Sequence, residues 1–237
     1  MKKHRRGIND NNILSPMQKV FLQEFTKTEL KDIFRLTGGT ALSSFYLEHR
    51  FSDDLDFFSS EKVPFYIPEE FLKTLDFIKG ISFTKQFDRN IFNLNLKDGT
   101  ILKVEFIYYP LKNIEDIVLV DNLKIDSFLD ITVNKLCAIA DRSEAKDYVD
   151  VYSVLKNSEF SLKWLMDLAE KKCEIKGISC ILKTRLLQIP EGLENIPLMV
   201  DVTRYSIKDF FERLIKEIVV EETLNCNASK PPIPLIH

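Results

Sequence analysis

Three carboxylates and a glycine pair have the types and spacing to do chemistry in this chain. Asp54-Leu55-Asp56 opens a segment, Asp54 to Phe58, that reads as a buried strand. Strand alternation places Asp54 and Asp56 on one face and Leu55 on the other. Asp53 then faces away from the pair and is set aside. Two carboxylates on one face repel unless a cation lies between them or one is protonated. A hard divalent ion, Mg2+ or Mn2+, is the natural partner for such oxygen ligands. Glu105 sits in a second apolar β segment, Lys103-Val104-Glu105-Phe106-Ile107, an odd place for a charge without a partner. If the two strands are neighbours, Asp54, Asp56 and Glu105 form a set able to hold two metal ions, the arrangement used in phosphoryl transfer.

Upstream, Gly38 and Gly39 let the backbone approach a ligand closely, since neither carries a Cβ. They lead into a helix expected over Thr40 to His49, with Thr40 placed to cap it. The N–H groups of such a helix start favour an anion such as a triphosphate, so Gly38, Gly39 and Thr40 are expected to cradle the phosphates, and Ser43 is a further candidate contact from the first turn. Downstream, Lys135, Arg142 and Lys146 are spaced by 7 and 4 and would share one helical stripe. Lys supplies a mobile point charge and Arg a bidentate clamp for a triphosphate. Asp147 and Asp150 would orient those cations or the base. His49, just before the acidic pair, reads as structural or substrate-orienting rather than as a general base, which two-metal chemistry does not need.

Each piece has a plain reading: a glycine turn, solvated surface acids, an edge-strand glutamate facing water, a surface serine, a solvated helix face laced with ion pairs. Their ordered combination is far more specific than any one of them.

The elements that must position these residues follow from periodicity and turn chemistry. Residues 16–30 carry apolar side chains at helical spacing. Ile33 to Leu36 reads as a short strand ended by Thr37-Gly38-Gly39. A helix is expected from Pro68 to Lys79, opened by Pro-Glu-Glu. Strands follow at Ile81 to Phe87, Ile91 to Leu96 and Ile101 to Tyr108, the last two joined by a hairpin turn at Lys97-Asp98-Gly99-Thr100. After about residue 125 helical patterns take over, at 126–141, 144–156, 161–174, 178–187 and 206–222. The fold expected is α+β: an N-terminal mixed β-sheet with helices over 1–124 carrying the metal site, a C-terminal helical bundle over 125–222, and a Pro-rich extended tail over 223–237.

Composition bounds the partners. A net charge of -3 makes the chain as a whole no basic nucleic-acid binder, so any RNA contact must come from a local patch. No apolar run approaches the roughly 20 residues needed to span a bilayer. The basic start is followed by no apolar stretch, so no secretory signal is read and a cytoplasmic location is expected. Cys137, Cys173, Cys180 and Cys226 form no CxxC pair and His is scarce, which argues against structural zinc and for reduced thiols. Trp164 and the many Phe residues read as core.

The stretch GGTALSSFYLEHRFSDDLDFF resembles the signature of the AbiEii/AbiGii-type toxin nucleotidyltransferases, within the DNA polymerase beta-like superfamily. The family's Gly-Gly/Ser-or-Thr and later Asp-x-Asp pattern falls on Gly38, Gly39, Thr40, Asp54 and Asp56. A second match, from Lys135 through Lys146, Asp147 and Asp150, resembles the family's helical motif of a Lys followed by a basic-Asp pair and another Asp. The third carboxylate is Glu105 where related enzymes often carry Asp. The resemblance implies a metal-dependent transfer of a nucleoside monophosphate from an NTP to an acceptor, with tRNA 3' ends the acceptor of relatives. It also implies the toxin role in a toxin–antitoxin or phage-defence pair, and so a cognate antitoxin. Modest independent support for RNA is the run 171–185, with five basic residues (Lys171, Lys172, Lys176, Lys183, Arg185) against one acid. The basic head, Lys2, Lys3, Arg5 and Arg6, is a second candidate. Rival expectations are a small-molecule or protein acceptor, or a catalytically silent binding homologue.

Overall fold

A computed structural model describes residues 6–228. The chain opens with α1 (Pro16–Phe25), started by a Ser15–Gln18 capping box with Pro16 in the first turn. Gln18 also donates to the carbonyls of Ser52 (2.8 Å) and Asp53 (3.1 Å), so the first helix fixes the loop that delivers the acidic pair. The helix expected over 16–30 ends at Phe25, and a separate short helix, α2 (Leu30–Ile33), follows.

Among the described residues seven strands form one mixed sheet: β1 (Arg35–Thr37), β2 (Leu55–Ser59), β3 (Ile78–Gln86), β4 (Arg89–Leu96), β5 (Ile101–Tyr108), β6 (Val118–Val120) and β7 (Leu123–Ile125). Their spatial order is β3-β4-β5-β2-β1-β7-β6. β2 and β5 run parallel side by side, flanked by antiparallel β4 and β1. In β2 the residues Leu55, Phe57 and Ser59 are buried while Asp56 and Phe58 keep some access, the alternation expected of a strand with one packed face. Phe57 stacks on Phe106 of β5 at 5.3 Å and meets Phe25 of α1 at 4.5 Å. These rings and α4 (Tyr66–Lys73) build the first core. The helix expected to reach Lys79 stops at Lys73, because residues from Ile78 onward pair with β4. β6 and β7, three residues each, are too short for alternation to mark them in the sequence.

The helical part comprises α5 (Phe128–Asp141), α6 (Ala145–Asn157), α7 (Leu162–Cys173), α8 (Ile178–Leu186) and α9 (Arg204–Ala228) around a second core. Ser127 caps α5 through the Asp130 amide (2.9 Å). α9 runs on to Ala228, past the expected start of an extended tail at 223. The rest of that tail, and Lys2, Lys3 and Arg5, lie outside the described residues. The sulfurs of Cys137 on α5 and Cys173 on α7 are joined, which corrects the expectation of reduced thiols throughout; Cys180 is free and exposed. Residues 36 apart in sequence leave no local pattern from which that pairing could be read. Trp164 is also not core: it is 42% exposed and leans on Phe160. Among the described residues no helix is long and apolar enough to cross a membrane.

Candidate active site

The glycine pair and the acidic strand are welded together by close backbone packing. Gly38 and Gly39 are themselves the first residues of a short helix, α3 (Gly38–Leu42), that follows Thr37 of β1. Thr37 pairs with Asp56 across the β1–β2 ladder. Gly38 adopts φ +72, and a Cβ there would overlap the Asp56 carboxylate. A Cβ on Gly39 would collide with the Arg50 guanidinium and lie 3.2 Å from the Ser52 hydroxyl. Both glycines are thus demanded by protein neighbours, whatever ligand they also meet.

Thr40 is not the helix cap. It is buried inside α3, and its hydroxyl donates to the main-chain carbonyl of Asp54. The threonine therefore fixes the backbone that carries the acidic pair. Ser43 is fully buried, with a hydroxyl that has no hydrogen-bond partner among the described residues. It opens a wider helical turn (Ser43–Leu47), closed by Glu48 in the left-handed region, so the expected α-helix to His49 is short α followed by a π turn.

Asp54, Asp56 and Glu105 converge. Glu105 pairs in register with Asp56 across the parallel β2–β5 ladder, so both side chains leave the same face. Asp56 is pushed up to about 6, by burial first, then by the charges of Glu105 and Asp54. Glu105 is only 1% exposed. Arg89 of β4 holds its Oε2 from Nε (2.8 Å) and Nη2 (2.5 Å), and Lys103 Nζ holds its Oε1 at 2.7 Å. Burial alone would raise the Glu105 carboxyl, but these two cations outweigh it and the net shift is downward. Lys103 also reaches Asp54 Oδ2 at 3.5 Å.

A divalent ion fits part of this set. Asp54 and Asp56 offer oxygen donors, and the Asp56 carboxyl, raised by burial first and then by Glu105 and Asp54, would be eased by a cation. Both oxygens of Glu105 are engaged, and among the described residues no three His, Cys, Asp or Glu side chains are grouped to hold a metal.

Beside the acidic face lies a second, balanced charge cluster. Lys135 on α5 is 7% exposed and bonds Asp147 Oδ1 (2.8 Å) and Asp150 Oδ2 (2.7 Å) of α6. Asp150 is buried and also accepts from His49 Nε2 (2.7 Å), Arg50 Nε (2.7 Å) and Arg50 Nη2 (2.9 Å). Arg142 Nε meets Asp147 Oδ2 at 3.0 Å. Burial would raise the Asp150 carboxyl, yet Arg50 and Lys135 drive it well below the ordinary carboxylate range; Asp147 moves the same way through Lys135 and Arg142. Burial opposes the Lys135 ammonium, but Asp150 and Asp147 more than offset it. The single stripe expected for Lys135, Arg142 and Lys146 does not form, because α5 ends at Asp141 and Arg142 is extended. The charges meet instead through the turn between two helices. Lys146 approaches Asp54 Oδ2 at 4.0 Å.

Sequence reasoning missed Lys103 and Arg89 as partners of Glu105, and gave Arg50 no role. Lys103 alternates with Glu105 on one strand face, a signal that was legible. The Arg89 and Arg50 contacts span 16 and 100 residues and were not. The basic run 171–185 loses force as an RNA track: Lys172 is buried against Asp130 (2.8 Å) and Lys183 pairs with Glu222 (2.6 Å).

The family model described as "Nucleotidyl transferase AbiEii toxin, Type IV TA system" matches residues 20–225. An uncharacterized protein of Aquifex aeolicus (strain VF5), aq_aa25, is 30% identical over 210 residues, covering 86% of this chain and 97% of that protein. Among solved structures, JHP933 from Helicobacter pylori is similar, with TM-score 0.55 and 21% identity, over 91% of this chain and all of that one. A second structure from Helicobacter pylori, described as a nucleotidyltransferase, has TM-score 0.56 and 22% identity, over 87% of this chain and 98% of that one. At such identities the two structures speak for the fold.

Proposed function

Because the chain belongs to the AbiEii family of nucleotidyltransferase toxins, we propose that it transfers a nucleoside monophosphate from an NTP to an RNA acceptor, with tRNA the first candidate. The observation that carries the reading is Asp56 in register with Glu105 across β2 and β5, with Asp54 just before β2 sharing Lys103 with Glu105, and the Asp56 carboxyl raised to about 6 by burial first and then by the charges of Glu105 and Asp54. In this reading Asp54 and Asp56 hold Mg2+ or Mn2+. The ion, when bound, supplies charge neutralisation for the triphosphate and its leaving pyrophosphate.

The chain's own residues do the rest. Gly38 and Gly39, pressed against Asp56 and Arg50, bring main chain rather than side chain to the edge of the acidic site, where phosphates would lie. Thr40 anchors Asp54 through its carbonyl and is a positioning residue. Arg142, 36% exposed at its side chain, is the cation of the balanced cluster with most access to a nucleotide, whereas Lys135 is committed to two aspartates. Asp147 positions both. Glu105, fixed by Arg89 and Lys103, sets the field around Asp56; with both oxygens engaged and its carboxyl lowered, it is a positioning residue rather than the acceptor's base. Ser43, buried, has no part in this reading. The antitoxin expected of such a system is the implied protein partner, and the family description is its support.

The test is incubation of the full chain with total tRNA, Mg2+ and each labelled NTP in turn. Label on tRNA, lost in Asp54→Ala and Asp56→Ala variants that melt like the parent, is the expected result. Label on a co-purifying protein or small molecule would redirect the acceptor. Undiminished transfer by both variants would refute the site.

A further inference from the structure

Lys103 enters the acidic site from the same strand and face as Glu105, two positions earlier. Its ammonium stands between carboxylates of two strands, 2.7 Å from Glu105 Oε1 and 3.5 Å from Asp54 Oδ2. The three neighbours differ in freedom. Glu105 is buried and clamped from its other side by Arg89. Asp54 is tied through its main chain to Thr40. Lys103 is 35% exposed at its side chain, on a flexible four-carbon stem, so it is the member of the group that can leave.

We propose that Lys103 is a placeholder cation, neutralising Asp54 and Glu105 in the nucleotide-free protein and competing with a divalent ion for the Asp54 carboxylate. The inference rests on the metal reading above. An ammonium and a divalent ion a few ångströms apart repel strongly in a partly dry site. Entry of the ion therefore requires Lys103 to swing into solvent. Lys103 thus sets the threshold at which the site loads with metal, and keeps the three acids from scattering before it does. Lys135 cannot play this part, being buried and held by two aspartates of its own.

The test needs no turnover. Mn2+ is titrated calorimetrically into the nucleotide-free full chain at pH 8, for the parent, Lys103→Met, Lys103→Gln and Lys103→Arg. Lys85→Met, removing an exposed lysine of β3 that lies two strands from Glu105 and alternates to the other face of the sheet, is the control for general charge. Lys103→Met and Lys103→Gln are expected to bind Mn2+ at least about tenfold more tightly than the parent. Lys103→Arg, which keeps the charge, and Lys85→Met should stay near it. Equal or weaker binding by the two neutral variants, with parent-like melting, overturns the placeholder role while leaving the metal reading intact. Heat-free titrations with the parent and every variant overturn both.

Discussion

Two charged groups adjoin in this molecule, and they are built differently. On the helices, Lys135, Arg50 and Arg142 face Asp147 and Asp150 with nearly every oxygen bonded, and both aspartates ionise more readily than usual. On the sheet, Arg89, Lys103 and Lys146 are spent on Glu105 and Asp54, and Asp56, raised by burial first and then by those two acids, resists ionisation. The first arrangement is satisfied within the protein and serves to fix geometry. The second leaves one carboxyl, Asp56, buried beside two acids and holding its proton more tightly than usual. Their contact, through Lys146 near Asp54 and Arg50 behind Gly39, lets a rigid cluster hold a frustrated one in place.

The contrast breaks first at Asp150. Asp150→Ala leaves Arg50 and Lys135 buried without their main partner, and should cost about 3–5 kcal/mol in chemical denaturation. A loss below 1 kcal/mol would show the helical cluster to be far less critical than its burial implies.

Next in size is Asp56, where the sign is opposite. Its carboxyl is raised from 3.8 to about 6 in the folded chain. The folded state therefore holds that proton more tightly, and the associated stability is present at low pH and fades as pH rises through 6. Asp147 and Asp150 contribute the other way, their stabilisation being present above the ordinary carboxylate range and lost as pH falls below it. In divalent-free buffer at pH 8, Asp56→Asn should be more stable than the parent, by up to about 3 kcal/mol. The gap should close on acidification below pH 4. Denaturation curves across that range decide it; an Asp56→Asn chain less stable at pH 8 would mean the sheet site is as well balanced as the helical one.

The smallest effect is expected at the surface. Lys183→Ala removes the pair with Glu222, and should change stability by no more than about 1 kcal/mol. A larger loss, measured the same way, would show that α8 and α9 depend on charge as much as α5 and α6 do.

Much of this contrast was written locally. The acidic pair, the later glutamate, the glycines and the Lys135–Asp147 motif stood in order along the chain, and the strand segments carrying the acids were legible from alternation. Less legible were features set by distant neighbours. Thr40 looked like a cap because it follows two glycines, but the helix starts at Gly38 and the threonine turns inward to Asp54. Lys172 and Lys183 looked like a phosphate track until Asp130 and Glu222 claimed them.

By itself the sequence determined which side chains share a strand face and where the chain must turn, because alternation and glycine's missing Cβ act over one to three residues. Which distant charges would be paired was decided by the tertiary structure. Ion pairing depends on distance through space, and the contacts that fix Asp150 and Glu105 join residues 100 and 16 positions apart. Folding gave the helical aspartates their partners and left Asp56 facing other acids.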